Sequence, residues 1–439
     1  MPRTLERPAP SALPPAVRTV LATLHDAGFE AVLVGGCVRD LLRGVPVTDF
    51  DVATQAPPER VLTLFPRAIP TGLRHGTVMI PSGTRPIDVT TFRAGPRLEE
   101  DLAHRDFTIN AIAWEPATDR WVDPFDGARD LAADRLRAVG SAQARFTEDP
   151  LRALRAARLV ATLGLVPEPD LLPAMAEARL TLRRVARERV RHELGQLLLA
   201  PGVAAGLRLL RETRLETELA PGARDDAPAV VAALPPVLEL RLAGWLRGTR
   251  VEAILAALRF GHRRSREIAQ LLLRHPLDAQ PLRGDADLRR LLARVGDDGV
   301  SGLLALRRAE LTALAARDPA AAARDRAALE ALAERIERIQ RAGALALHRT
   351  DLALDGRAVM TELGLAPGPA VGEALAYLAE CVLEDPTCNT PEALRTRLHT
   401  WARTPRQERG RVGSVNFSPR GGKVDGSNPT PFLTRVSRA

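Results

Sequence analysis

The stretch that most limits what this chain can become is Ala31 to Thr54, AVLVGGCVRDLLRGVPVTDFDVAT. Its four leading apolar residues read as a buried strand, and Gly35-Gly36 then make a turn that opens a short helix through Leu42. Such a turn can cradle phosphate. After a loop marked by Pro46, the run Thr48 to Val52 reads as a second strand whose alternation sends Asp49 and Asp51 to one face. Two carboxylates that close repel, so each has its pKa raised unless a divalent cation lies between them, and hard oxygen ligands suit Mg²⁺.

The flanking sequence continues a mixed α/β pattern. Ala16 to Ala27 has helical spacing, with Val17, Val20, Leu21 and Leu24 on one stripe and Gly28 as its stop, and Glu59 to Phe65 reads as another short helix. Thr77 to Ile80 and the β-branched run Pro86 to Arg93 read as strands, the second carrying Asp88 as a candidate third carboxylate beside the pair. Trp121 to Asp130 closes this region, with Pro124 and Gly127 offering a hinge. From Leu131 to about residue 402 strand signals almost vanish, and alanine, leucine and arginine at helical spacing take over, which marks a domain boundary.

Lys and Arg total 62 against 54 acidic residues, and nearly all of the positive charge is arginine. A net charge of +8 is compatible with binding a polyanion. Aromatic residues are only 3 %, so recognition of a nucleic acid would rest on arginine, backbone and shape more than on stacking. Cys37, Cys381 and Cys388 have neither zinc spacing nor an even disulfide framework, which fits a reducing cytoplasm. No signal-like segment opens the chain and no apolar run approaches ~20 residues, so secretion and membrane spanning are not expected.

A second informative stretch is Phe146 to Leu165, FTEDPLRALRAARLVATLGL. Thr147 or Glu148 is expected to cap a helix in which Pro150 is tolerated near the start. Asp149, Arg152, Arg155 and Arg158 follow at spacings of three and form one slowly spiralling band. A carboxylate beside a guanidinium complements the edge of cytosine, which offers an amino donor at N4 next to acceptors at N3 and O2. Uracil presents O4 and N3–H there and meets wrong partners, at about 1–3 kcal/mol each. Adenine, with an N6 amino group and an N1 acceptor, fits the same pair after a small shift.

Gly35-Gly36-Cys37-Val38-Arg39-Asp40 followed by Asp49-Phe50-Asp51 resembles the nucleotidyltransferase signature of the class II CCA-adding enzymes and bacterial poly(A) polymerases. Arg105-Asp106-Phe107-Thr108-Ile109-Asn110 is similar to a second motif of that family, with His104 standing where its first arginine would be, and Glu148-Asp149 with Arg152 resembles the motif by which the protein replaces a template strand. The resemblance implies an α/β nucleotidyltransferase head, a polymerase-beta-like mixed sheet with helices, followed by an all-α neck, body and tail. It implies catalysis at Asp49 and Asp51, the metal ligands for two Mg²⁺ ions, with Asp88 as the third carboxylate. Nucleotide binding falls to Gly35, Gly36, Arg39, Arg105, Asp106, Asn110, Glu148, Asp149, Arg152, Arg155 and Arg158, with Glu188, Arg189 and Glu193 as buttresses. Leu363 to Gly372 resembles a tail-domain loop whose following helix could hold an RNA phosphate. The expected organisation is a flexible 1–15, a head at 16–132, a neck at 133–200, a body at 201–300, an RNA-binding tail at 301–402 and a disordered 403–439.

Within that family, TGLRHGTV at Thr71 to Val78 looks like the tRNA enzymes rather than the poly(A) polymerases. Members that add the terminal adenosine carry a flexible loop after Thr-Phe-Arg. Here only eleven residues, Ala94 to His104, separate Arg93 from Arg105. The expectation is a CC-adding enzyme that uses CTP on tRNA lacking its 3′ end and leaves the terminal adenosine to a separate A-adding enzyme. The alternatives are complete CCA addition from CTP and ATP, and then poly(A) synthesis. A small-molecule nucleotidyltransferase would not need the basic helical extension, and intact carboxylates argue against an inactive RNA-binding protein.

Overall fold

The computed structural model describes residues 5–72, 76–83, 85–93, 95–280, 282–342 and 351–404. The expectations for residues 1–4 and 405–439, for Leu73, Arg74 and His75 of the segment used to choose between RNA substrates, and for Ala94 lie outside them. Two compact units divide between Leu272 and Leu273. The junctions drawn from composition near residues 132 and 200 fall inside the first unit, and the one near 300 falls inside a helical stretch, Asp285–Ala315, which breaks instead at Gly296 (φ 70°, ψ 172°).

The first unit opens with α1 (Pro15–Asp26), which buries the expected stripe Val17, Val20, Leu21 and Leu24. β1 (Ala31–Val34), fully buried, runs into α2 (Gly36–Leu42). There follow β2 (Phe50–Thr54), α3 (Pro58–Leu64), β3 (Ile69–Gly72), β4 (Thr77–Ile80), β5 (Ile87–Thr91), α4 (Leu98–Ala103), β6 (Ala113–Glu115), β7 (Arg120–Val122) and α5 (Gly127–Ala132). The seven strands make one sheet in the order β3-β4-β5-β2-β1-β6-β7. Only β2 and β5 run parallel, and the other neighbours are antiparallel. The edge strand β3 is not visible in the sequence because it contains Pro70, whose missing N–H is tolerated only at an edge.

Val32, Val34 and Ala53 from the sheet pack with Leu98 and Leu102 of α4, which are 2 % and 0 % exposed. α4 is therefore part of the head's core. Two-residue strands, β8 (Arg135–Leu136) and β9 (Val166–Pro167), pair in parallel, a small exception to the expectation of helix alone after Leu131. Then come α6 (Ala142–Glu148), α7 (Leu151–Leu163), α8 (Leu171–Leu182) and α9 (Arg187–Leu199), and further helices from Val203 onward. Buried Arg241 donates to the carbonyls of Leu198 and Ala200 at 2.6 and 2.9 Å, satisfying the otherwise unpartnered end of α9.

The second unit is helical throughout its described residues. A core of Val359, Leu378, Leu394 and Leu398 with Trp401 joins its last three long helices, Gly356–Leu363, Pro369–Glu384 and Pro391–Arg403. Gly364 (φ 62°) ends the first of these and Gly368 precedes the second, as the glycine-rich loop leads one to expect. Cys37, Cys381 and Cys388 are free, and among the described residues no helix is long and apolar enough to cross a membrane.

Gly127 is not a hinge. A Cβ built on it would lie 2.1 Å from the Thr108 carbonyl oxygen and 2.9 Å from Ile112, and its amide donates to Asp123 at 2.7 Å. The residue is small because α5 is pressed onto the backbone at 108. Gly127→Ala should lower unfolding free energy by roughly 1–3 kcal/mol through overpacking. Chemical denaturation checks this, and a variant as stable as the parent would contradict the packing described.

Candidate active site

The turn from β1 to α2 brings the site's first groups together. Gly35 has φ 78°, where a side chain is strained, and a Cβ there would meet Arg105 Nη1 at 2.8 Å and Asp51 Oδ2 at 3.5 Å. The glycine thus lets a guanidinium and a carboxylate close on the main chain. Cys37, one position into α2, donates its Sγ–H to the Val34 carbonyl at 3.1 Å, and burial followed by the Asp51 charge pushes its pKa up to about 12. It is a packed thiol, not a nucleophile.

Asp51 lies within β2, and its register partner across the parallel pair is Asp88 of β5. The third carboxylate is therefore beside the second by sheet register. Asp49 lies just before β2, which starts two residues later than expected, is exposed, and accepts from the Thr48 hydroxyl at 3.3 Å; its charge still acts on Asp51 and Asp88. Burial raises the Asp51 pKa to about 6; Arg105 and Arg93 pull it down, while Asp88 and Asp49 push it up. Asp88 is raised by burial and then by Asp49. Among the described residues no three His, Cys, Asp or Glu side chains stand close enough to enclose a metal unaided. The donor set fits a hard divalent cation nonetheless: oxygen-only carboxylates in register, with repulsion that such an ion relieves.

Arg39 forms a fork with Asp40, Nε to Oδ1 at 3.0 Å and Nη2 to Oδ2 at 2.8 Å, and donates through Nη1 to Asn110 Oδ1 at 2.8 Å. Arg105 is held by Asp101 Oδ2 at 3.1 Å from Nη2. Arg93, two residues past the end of β5, was not singled out by the sequence. Its pKa is lowered by burial and by the neighbouring Arg105 and Arg152, so Arg93 stands among three guanidiniums, of which it and Arg105 act on Asp51. Its side chain has no hydrogen-bonded carboxylate among the described residues.

The stretch expected to select the base is broken where a single helix was expected. Pro150 cannot continue a helix from behind, and it forces Asp149 into an extended conformation (φ −141°, ψ 101°), so α6 ends at Glu148 and α7 starts at Leu151. Thr147 and Glu148 therefore finish α6 and do not cap α7. Asp149 does that work, accepting from the Leu151 amide at 3.1 Å, while its other oxygen accepts from Arg189 at 2.8 Å. Arg152 donates to Glu148 at 3.1 Å and to the His104 carbonyl at 3.0 Å.

Arg155 and Arg158 face inward. Arg155 donates to Asp106 at 2.8 Å and to Glu193 Oε1 at 3.0 Å, and Arg158 donates to Glu193 Oε2 at 2.6 Å. Asp106 also accepts from Asn110 at 3.1 Å and from the Phe107 amide at 2.8 Å. Glu193 buttresses the helix as expected, Arg189 steadies Asp149, and Glu188 pairs instead with Arg259 at the surface. One peptide link separates the carbonyl that grips Arg152 from the Arg105 that lies against Gly35 and Asp51. Arg152 is thus tied to the residue that precedes Arg105, and Arg105 lies at the carboxylate pair.

The class follows from comparison with known proteins. Residues 31–137 match the profile described as the poly A polymerase head domain, and residues 164–226 the one described as the probable RNA and SrmB binding site of polymerase A. The carboxylate pair thus sits in a nucleotidyltransferase head, and the protein is an enzyme. The chain is 33% identical to the CCA-adding enzyme of Limosilactobacillus fermentum, over 88% of this chain and 96% of that one. It is 45% identical to the CC-adding tRNA nucleotidyltransferase of Shouchella clausii, over 44% of this chain and 50% of that one. The crystal structure of the Bacillus stearothermophilus CCA-adding enzyme in complex with CTP superposes with a TM-score of 0.70 at 30% identity, covering 89% of this chain and 98% of the other. The chain belongs to the class II tRNA nucleotidyltransferases, the family of CCA-adding enzymes and bacterial poly(A) polymerases, whose members use divalent metals.

Asp106 supplies a prediction. Arg155, Asn110 and the Phe107 amide outweigh its burial and hold its pKa down, from 3.8 to about 2. A carboxyl depressed in the folded state stabilises the protein above its unfolded pKa, and that contribution disappears as pH falls from about 4 through about 2. Relative to Asp106→Asn, the parent should therefore lose about 2 kcal/mol of stability across that window. Urea titrations at stepped pH measure it, and parallel curves for the two proteins would contradict it.

Proposed function

We propose that the enzyme adds two cytidines to the 3′ end of tRNA from CTP and releases pyrophosphate, with Mg²⁺ as the metal. The observation that carries the CC-only reading is the course of residues 95–105: where a mobile loop would be needed to re-pose the base-selecting groups for adenine, the chain forms α4, buries Leu98 and Leu102, and ties its last carbonyls to the neck.

Asp51 and Asp88, with Asp49 at the entrance, would hold the metal. Bound there, Mg²⁺ supplies Lewis acidity to the attacking 3′-hydroxyl and to the departing pyrophosphate. Gly35-Gly36 lets the triphosphate approach the main chain, and Arg93 and Arg105 take up its negative charge. Arg39, already satisfied by Asp40 and Asn110, supports the turn from behind. Asp149 accepts from the cytosine N4 amino group while Arg152 donates to N3 and O2, so that uracil meets like against like. Asp106, Asn110, Arg155, Arg158 and Glu193 orient this pair, and Glu148 steadies Arg152. The helices beyond residue 200 grip RNA by phosphate and shape, including the loop Leu363 to Gly372, so affinity falls with salt. The enzyme works in the cytoplasm, and a separate A-adding enzyme completes the end.

Complete CCA addition is the second reading. It is favoured by the match along nearly the whole chain to a relative described as a CCA-adding enzyme. Trimmed tRNA given CTP, ATP or both separates the two at single-nucleotide resolution. The proposal expects a product two residues longer with CTP, none with ATP, and still two with both; a dominant product three residues longer would defeat it. Asp51→Ala should lower addition by roughly a thousandfold or more, several kcal/mol of barrier, while filter retention of tRNA stays largely intact.

A further inference from the structure

Two arginines reach α4 from the neck, and only one of them belongs to a recognised motif. Arg145, on α6, donates through Nη1 to the Ala103 carbonyl at 3.1 Å and pairs through Nη2 with Glu148 Oε1 at 2.6 Å. The other oxygen of Glu148 is 3.1 Å from Arg152 Nη1. Arg152 in turn donates to the Arg145 carbonyl at 3.4 Å and to the His104 carbonyl at 3.0 Å. These contacts close a ring that runs from Arg145 through Ala103 and His104 to Arg152 and back through Glu148.

The chemistry of the ring is specific. Carbonyls in the last turn of a helix lack partners within it and carry its negative end, so a guanidinium on each satisfies groups that are costly to leave dry. Both arginine side chains are largely buried, 15% and 13% exposed, while the Glu148 carboxylate that joins them is 43% exposed, so the ring is held from its arginine side and open to water at the acid. Among the described residues, Arg145 Nε is buried without a hydrogen-bond partner. Arg152 is left with its Nε–H and one Nη2 proton unengaged among the described residues, pointing in a direction that the ring fixes.

We infer that Arg145 is the positioning residue for nucleotide choice: by tying α6 to the end of α4 and holding Glu148 against Arg152, it sets the pose in which Arg152 meets the base. Cytosine and adenine place their acceptors at different offsets from the amino group that Asp149 receives. A guanidinium free to swing meets both, and one gripped on three sides meets one. The inference rests on the proposed assignment of Asp149 and Arg152 to the base edge, and not on whether the enzyme stops at two cytidines.

The test is first-nucleotide addition by the full chain to tRNA trimmed of its whole 3′ end, with CTP or ATP supplied alone. Arg145→Ala should reduce the CTP-over-ATP ratio of kcat/KM by about tenfold or more, the size of one lost hydrogen bond to a charged group, a change in ratio that a mere fall in melting temperature would not produce. Arg145→Lys, which keeps a cation able to reach one of the two partners, should fall between this variant and the parent, and it carries the comparison should Arg145→Ala not fold. Equal losses toward both nucleotides, with the ratio unaltered, overturn the inference. Asp149→Ala is the reference: if it also leaves the ratio unaltered, the base-edge assignment itself has failed; if it collapses the ratio while neither Arg145 variant changes it, only the role of Arg145 has.

Discussion

A carboxylate buried where the sheet meets the first neck helices holds the catalytic half of this enzyme in register. Asp106 accepts from Asn110, which accepts from Arg39 beside the glycine turn, and its second oxygen accepts from Arg155 of α7. Arg155 continues to Glu193 of α9, and Glu193 to Arg158. Such a chain is stable only when complete, because a buried charge deprived of its partner costs several kcal/mol. Its consequence is geometric: α7 has one orientation against the sheet. Arg152, one turn before Arg155, is thereby carried to the His104 carbonyl, one residue from the arginine that lies against Asp51.

The same rigidity gives the proposed specificity a physical basis. A protein that reads first one base and then another needs a part that moves between additions. In this chain the candidate for that part is six residues of helix with two leucines in the head's core and two carbonyls gripped by neck arginines. Asp149 is equally constrained, capping α7 with one oxygen and held by Arg189 with the other. Each of its oxygens keeps a lone pair for a base amino group. Selection by one fixed acid and one fixed guanidinium trades versatility for discrimination, since a wrong partner cannot be accommodated by a shift.

Much of the head was legible in the sequence. The stripe of α1, the strand Ala31–Val34, the helix through Leu42 and the strands bearing Asp51 and Asp88 follow from local pattern, because each buries a face that must be apolar. Local pattern could not decide what arginines do. Arg39 and Arg155 look like ligands for phosphate, yet their partners lie 71 and 49 residues away in sequence and are found only in the fold. Arg93 was passed over for the converse reason, since only folding gathers it with Arg105 and Arg152. At Pro150 the arginine spacing around it suggested one helix, whereas the steric demand on Asp149 prevails, and Asp149 takes an extended, non-helical position.

All of this comes down to whether a single nucleoside triphosphate spans the two clusters. The most direct measurement is the electron density of the chain crystallised with CTP and Mg²⁺. The account predicts the cytosine amino group within hydrogen-bond distance of Asp149, its N3 and O2 facing Arg152, and the α-phosphate beside Asp51 and the Gly35-Gly36 turn. CTP bound with its triphosphate at the carboxylates and its base directed away from α7 would contradict it.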